Sequence, residues 1–343
     1  MPTSEFELIQ RCFVDQGLGF ARTGVELGIG DDCALIAPLA GEMLAVSLDT
    51  LVAGVHFPLG SLSPFDSGAA APALIANRAL AVNLSDLAAM GAAPLAFTLG
   101  LTLPRDDAQW VSEFARGLLP LARQFDCPLI GGDTTRGPLA ITIQVHGSVN
   151  ALRAPRRSAA RAGELICVTG TLGDAAAALQ LIGGESHLGR RLAFSREPNN
   201  SDSDYLRSRY FAPSPRVAFA RAAAPFMGAC IDLSDGLLGD LGHILAASGV
   251  GARLDTLTLP FSPALSNTLD PEQCELAALS GGDDYELCFT AAPTDLSAVR
   301  DCAAALGLPL SLVGEVETQK GLRLSRGAEP IESPPSAYQH FQE

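Results

Sequence analysis

Residues 229–249, ACIDLSDGLLGDLGHILAASG, decide the class of fold. They read as a short apolar strand, an acidic turn through Asp232–Gly236, and a helix with apolar residues at helical period. Outward from this unit the same alphabet continues. ELICVTGTLGDAAAALQLI (164–182) is strand, glycine turn, helix, and GARLDTLTL is a strand. SGGDDYELCFTA is a turn feeding a strand, TDLSAVRDCAAALG a helix, and LSLVGEV and GLRLS are strands. Upstream, LGIGDDCALI (27–36) is a strand entering a glycine turn, and MLAVSLD (43–49) is a strand ending in Asp49. An Ala/Leu-rich helix spans about 73–90, stopped by Gly91 and Pro94. A strand follows at 95–103, then a helix at 106–125 that Pro120 should kink. PLIGGDT is a short strand and turn, and LAITIQVHGSV (139–149) alternates like a strand. Residues 58–72 and 183–204 read as loops, the second long and on the surface.

The chain has 343 residues, enough for about two domains of ~150 residues. The basic, non-periodic stretch ALRAPRRSAARAGE (151–164) marks the break, giving domains 1–150 and 151–343. Strands and helices mix in both, so the class is α/β plus α+β. No apolar run approaches the ~18 residues of a membrane span, and the acidic start MPTSEFELIQRC is not a signal peptide. Eight cysteines sit mostly in apolar contexts without a C-x-x-C pair, as in a reduced cytoplasmic protein.

A net charge of −15 argues against a nucleic-acid partner. Small polyanions are still admissible where cations mediate. The chain contains a single lysine, Lys320, in TQKGL, so neither a Walker A loop nor the protein-kinase lysine exists. Phosphate handling falls to metals, arginines and backbone N–H groups. Aspartates stand after glycine turns or at strand ends: Asp31 and Asp32, Asp49, Asp133, Asp232 and Asp235, Asp283 and Asp284. Asp86 lies in a helix with Asn83 one turn earlier on the same face. Each alone also reads as turn or cap chemistry. Were they to converge, each pair at ~4 Å would cost roughly 4 kcal/mol at an effective dielectric near 20, and hard cations would be needed. Oxygen ligands without His or Cys point to Mg²⁺ or Mn²⁺.

LGIGDDCAL, SLDTLVAGVHF, ALAVNLSDLAAMGA, LIGGDTTRGPL, IDLSDGL, LSGGDDYELCF and the terminal YQHF, in this order, resemble the thiamine-monophosphate kinase family. That family belongs to the aminoimidazole ribonucleotide synthetase-like superfamily. The resemblance covers nearly the whole chain. It implies a two-domain fold: an N-terminal α/β domain for ATP, metal and dimerisation, its strands pairing across a homodimer, and a C-terminal α+β domain. The site would lie in the cleft between them. It implies ATP as co-substrate, several Mg²⁺ ions, thiamine phosphate as acceptor, and a cytoplasmic enzyme of thiamine diphosphate biosynthesis. Carried over residue by residue, it makes Asp32, Ser47, Asp49, Asp86, Asp133, Asp232 and Asp235 metal ligands. Gly132, Asp133, Arg157 and Ser234 become ATP contacts, and His56, Asp283 and Tyr338 substrate contacts. The sequence departs from the family at Leu48, where a side-chain oxygen is common, and at Asp283, where the acid is often Glu. Arg157 stands in RRSAARAGE, a variant of the usual pattern there.

The chemistry fits the composition. The phosphate of thiamine phosphate is largely dianionic at pH 7, so it needs neither a general base nor a covalent nucleophile on the enzyme. The aspartates then act as metal ligands only, in direct in-line transfer.

Overall fold

The computed structural model of the chain describes residues 5–58, 72–184 and 191–331. Tyr338 with its YQHF motif, and most of the 58–72 loop, lie outside the described residues. The chain divides into two compact units, Met1–Leu87 with Ala92–Leu152, and Ala88–Gly91 with Arg153–Glu343.

The first unit carries α1 (Glu5–Ile9), β1 (Val25–Leu27), β2 (Leu35–Ile36), β3 (Met43–Val52), α2 (Pro72–Ala89), β4 (Ala93–Leu103), α3 (Ala108–Gln124), β5 (Leu129–Arg136) and β6 (Ala140–Val149). Its main sheet has the order β3-β6-β4-β5, antiparallel except for the parallel β4/β5 pair. The alternation read in LAITIQVHGSV holds: Ile141, Ile143 and Val145 are buried, while Thr142 and Gln144 are half-buried. α2 is buried along most of its length, including the polar Asn83 and Arg78.

Two expectations need correction here. Asp49 does not end its strand, because β3 stays paired to β6 through Val52, with Leu51 buried beyond it. PLIGGDT is not a strand and a turn, because β5 runs on through Asp133 to Arg136 beside β4. The glycines permit this: a Cβ on Gly132 would lie 2.0 Å from the Leu99 carbonyl oxygen of the neighbouring strand. α3 runs through Pro120 to Gln124, close to the 106–125 span read from the sequence.

The second unit carries β7 (Leu165–Thr169), α4 (Asp174–Leu181), α5 (Asn200–Phe211), α6 (Val217–Ala223), β8 (Cys230–Asp232), α7 (Leu237–Ser248) and β9 (Gly251–Asp255). After these come α8 (Pro263–Thr268), α9 (Pro271–Ser280), β10 (Leu287–Ala291), α10 (Leu296–Ala305), β11 (Leu310–Glu317), β12 (Gly321–Arg326) and β13 (Glu329–Ile331). They build a seven-stranded sheet of order β13-β12-β9-β11-β7-β10-β8. Ile166, Val168, Ile231, Leu237, Leu241 and Ile244 share its core. The loop expected over 183–204 is helical from Asn200 onward. Asn199 caps α5 by accepting the Asp202 N–H at 2.9 Å, a start that outweighs the polar composition. Among the described residues no helix is long and apolar enough to cross a membrane.

Candidate functional site

In the first unit, Ser47 and Asp49 sit on β3 and face α2. The Ser47 hydroxyl donates to Asp86 Oδ2 at 2.5 Å, and the Asp49 N–H donates to Asn83 Oδ1 at 3.1 Å. Asn83, fully buried, is fixed in turn by donating to the Ala79 carbonyl at 2.9 Å. The helical spacing of Asn83 and Asp86 thus matches the i, i+2 spacing of Ser47 and Asp49 on the strand. Burial, and then the neighbouring Asp86 charge, push the Asp49 carboxyl up to about 6. The pair register runs Asp49–Ile143–Leu99–Gly132 straight across the sheet. At the far strand, Gly132 and Asp133 join Asp32 in lining a cavity of about 530 Å³. Gly30, Asp31, Cys33 and Thr134 complete its polar side, and Ile9, Phe13, Ile29 and Leu129 its apolar side. His56 lies in the turn after β3, where its Nδ1 accepts the Val52 N–H at 3.0 Å.

In the second unit, the IDLSDGL and GGDDYEL segments are zipped together. Asp283 N–H donates to the Ser234 carbonyl, Tyr285 N–H to that of Leu233, and Leu233 N–H to that of Glu286, each at 2.8 Å. This brings Asp232, Ser234, Asp235 and Asp283 into one acidic region. Sequence reasoning missed its organiser, Asp240. That side chain is 2% exposed in the first turn of α7, and its Oδ2 accepts the Asp235 N–H at 3.0 Å. Burial first, and then Asp232 and Asp235, raise its carboxyl well above the ordinary range. An acid in the first turn of a helix was the available signal.

Arg157 is not brought to Ser234. Its carbonyl accepts the Ser248 hydroxyl at 2.8 Å, at the C-terminal end of α7, whereas Ser234 precedes the N-terminal end. The helix between them is about 17 Å long. The GTLGD turn is also committed elsewhere, since the Gly173 N–H donates to the Asp284 carboxylate. Among the described residues, no three His, Cys, Asp or Glu side chains stand close enough to hold a metal ion by themselves. The carboxylates instead come as a pair, Asp49 with Asp86, and as Asp232 and Asp235 around Asp240.

Residues 30–149 match the family model of the AIR synthase related protein N-terminal domain, and residues 161–326 that of its C-terminal domain. The thiamine-monophosphate kinase of Escherichia coli K12 is 46% identical over 342 residues, 99% of each chain. The crystal structure of thiamine-monophosphate kinase from Stenotrophomonas maltophilia K279a superposes with a TM-score of 0.80 at 43% identity, covering 94% of this chain and 97% of that one. The protein AaThiL, complexed with AMPPCP and TMP, superposes at 0.71 with 25% identity over 98% and 97% of the two chains. With both domain models matched in order and a full-length relative at this identity, the chain belongs to the thiamine-monophosphate kinase family.

Proposed function

We propose that this protein transfers the γ-phosphoryl group of ATP to thiamine phosphate, giving thiamine diphosphate and ADP. The observation that carries the reading is the 46% identity with the Escherichia coli enzyme, sustained over 99% of both chains. The complex of AaThiL with AMPPCP and TMP supports the same two ligands here.

The side chains supply the chemistry. Asp49, raised by burial and by Asp86, sits where a cation would relieve like-charge crowding. Its donor set, hard oxygens from carboxylates and a hydroxyl, suits Mg²⁺. Carboxylates in ones and twos also suit Mg²⁺, which completes its shell with phosphate oxygens and water. In this reading Asp32, Ser47, Asp49, Asp86 and Asp133 of residues 1–150 hold Mg²⁺, as do Asp232 and Asp235 of residues 151–343. When bound, Mg²⁺ neutralises phosphate oxygens and holds donor and acceptor in line. In this reading Gly132 and Asp133, at the cavity of the first unit, contact ATP, and so do Ser234 and Arg157, which stand at opposite ends of α7 and would meet different parts of the nucleotide. His56, Asp283 and Tyr338 contact thiamine phosphate. No side chain has to accept a proton, because the acceptor phosphate is already dianionic at neutral pH.

The same reading makes the protein a cytoplasmic homodimer. β3 is an edge strand, and Leu44, Val46 and Leu48 expose 42%, 51% and 52% of their surface along one face of it. An unpaired edge with an apolar stripe fits strand pairing with a second copy. Leu48, the departure from the family pattern, then belongs to that contact rather than to the metal ligands.

The test is chromatographic detection of thiamine diphosphate from purified protein, ATP, Mg²⁺ and thiamine phosphate. Equimolar ADP and thiamine diphosphate, both lost with EDTA, are expected. ATP turnover without thiamine diphosphate would sink the reading.

A further inference from the structure

Next to the acidic region of the second unit lies a cluster of buried charge that metal binding does not use. Glu286 is 1% exposed, and its carboxylate accepts four hydrogen bonds. These come from Arg216 Nε at 2.6 Å and Arg216 Nη2, from Arg209 Nη2 at 2.9 Å, and from Thr169 Oγ1 at 2.7 Å. Gly170 makes room for it, since a Cβ there would lie 2.1 Å from Glu286 Oε1. Asp284, also 1% exposed, takes the Gly173 N–H on both oxygens at 2.9 and 3.0 Å. Burial raises its carboxyl well above the ordinary range. Asp174, fully buried, accepts the Ser262 and Thr171 hydroxyls at 2.5 and 2.6 Å and lies 3.5 Å from Arg209 Nε. Arg209 lies in the last turn of α5 and Arg216 precedes α6. Pro213 and Pro215 stiffen the five residues between those helices.

The backbone between these anchors is strained. Gly282 has φ +70°, as a glycine readily does, but Asp283 at +65° and Tyr285 at +48° are left-handed without that excuse. Only one other non-glycine among the described residues, Asp126, shares a positive φ. Each such residue costs roughly 1–2 kcal/mol, and a bulky Tyr finds little local compensation. The anchors alternate with them in sequence: Asp284 and Glu286 make the bonds above, while Asp283, 6% exposed, has the Tyr285 hydroxyl 3.5 Å from its Oδ1. A strained path persists only where the surroundings over-determine it.

We propose that Arg209, Arg216, Asp284 and Glu286 are positioning residues for Asp283, holding residues 282, 283 and 285 left-handed so that Asp283 is presented to the acceptor substrate. The inference rests on the assignment of Asp283 to thiamine phosphate made above. It predicts a split in kinetic constants that a merely structural role does not give.

The test compares the unaltered chain with Glu286→Gln and Arg216→Lys, measuring kcat, the KM for each substrate and the melting temperature. Arg216→Lys keeps the charge but loses the two-pronged contact. Its side chain is 20% exposed, so it remains measurable even if Glu286→Gln does not fold. The KM for thiamine phosphate should rise about tenfold or more in Glu286→Gln, and in the same direction but less in Arg216→Lys. The KM for ATP should stay within about twofold. Lower melting temperatures with both KM values unchanged would overturn the proposal while leaving the kinase reading intact. If the unaltered chain makes no thiamine diphosphate, the kinase reading fails instead. A crystal structure of Glu286→Gln then decides the positioning role: relaxation of φ at residues 283 and 285 upholds it, and retention of both left-handed values overturns it.

Discussion

Asp49 and Glu286 are carboxylates withdrawn from water on different terms. Glu286 is gripped by two guanidinium groups, with Thr169 as a further donor. Asp49 is desolvated beside a second carboxylate, Asp86, and its proton affinity rises accordingly. The second unit repeats the contrast: Asp240 is crowded by Asp232 and Asp235, while Asp174 lies against Arg209. Acids matched by the chain's own arginines are already neutralised, and they serve to fix a backbone. Acids crowded by like charge retain a demand for a cation, which a ligand must bring. On the proposed assignment, an Asp-rich motif such as GGDDYEL holds two kinds of acid side by side: Asp283, proposed to meet the ligand, and Asp284 and Glu286, committed to the Gly173 N–H and to the arginines.

The largest effect that would break this division is on stability. Glu286→Ala leaves the buried Arg209 and the half-buried Arg216 without that carboxylate and should cost about 3–5 kcal/mol. In a unit of this size that lowers the melting temperature by on the order of 10 °C. Denaturant unfolding of the variant checks it, and an unchanged midpoint would mean that the arginines find other partners. Asp49→Asn should do the opposite. Activity falls at least about a hundredfold, ~2.7 kcal/mol in transition-state stabilisation, without loss of the metal-free fold. A variant that unfolds, or one that keeps its kcat, would place Asp49 with the structural acids.

The pH dependence sharpens the same contrast by a smaller amount. The folded-state pKa of Asp49, about 6, lies above its ordinary 3.8, so folding favours the protonated form. The associated stability is present in full below about 3.8 and is lost as pH rises through about 6. The full shift corresponds to about 3 kcal/mol, and partial solvation of the side chain reduces it to about 1–2. Metal-free protein should therefore lose about that much between pH 4 and pH 6.5 relative to Asp49→Asn, by paired urea titrations. Added Mg²⁺ should restore stability above pH 6.5 in the unaltered chain and not in the variant. Equal pH profiles for the two proteins would mean that Asp49 is not the crowded acid.

How far this division could be read beforehand depends on the range of the interactions. Composition and stop signals sufficed for α2, and local periodicity for β6 and for the strand–turn–helix of residues 229–249, because burial of one face leaves its period in the sequence. It failed where a partner strand decides. β3 and β5 run past Asp49 and Asp133 only because β6 and β4 lie alongside to pair with them. The start of α5 escaped because its first five residues, 200–204, are all polar, its buried Leu206, Tyr210 and Phe211 come only later, and only Asn199 and Asp202 mark where it begins. Likewise, nothing local says that Arg209 meets Glu286, which is 77 positions away. The aspartates of the candidate site were legible as a set. Which of the acids the fold pairs with arginine was not, because that depends on arginines brought in from other elements.

The smallest expected effect tests the cavity of the first unit directly. Cys33 is exposed beside Asp32 in the cavity wall, whereas Cys12, Cys127, Cys167, Cys230, Cys274 and Cys288 are buried. Cys302, in the second unit, is half-exposed and serves as an internal reference. If Asp32 and Asp133 belong to the ligand acids, nucleotide with Mg²⁺ should slow N-ethylmaleimide labelling of Cys33 several-fold and leave Cys302 unchanged, read by peptide mass spectrometry. Occupancy of the cavity removes access to the thiol, so the protection should scale with nucleotide concentration and vanish with EDTA. Labelling that ignores nucleotide would detach this cavity from the donor, leaving Asp49 and Asp86 as the ligand acids of the first unit and Asp32 and Asp133 as turn and strand residues with no charge partner to explain.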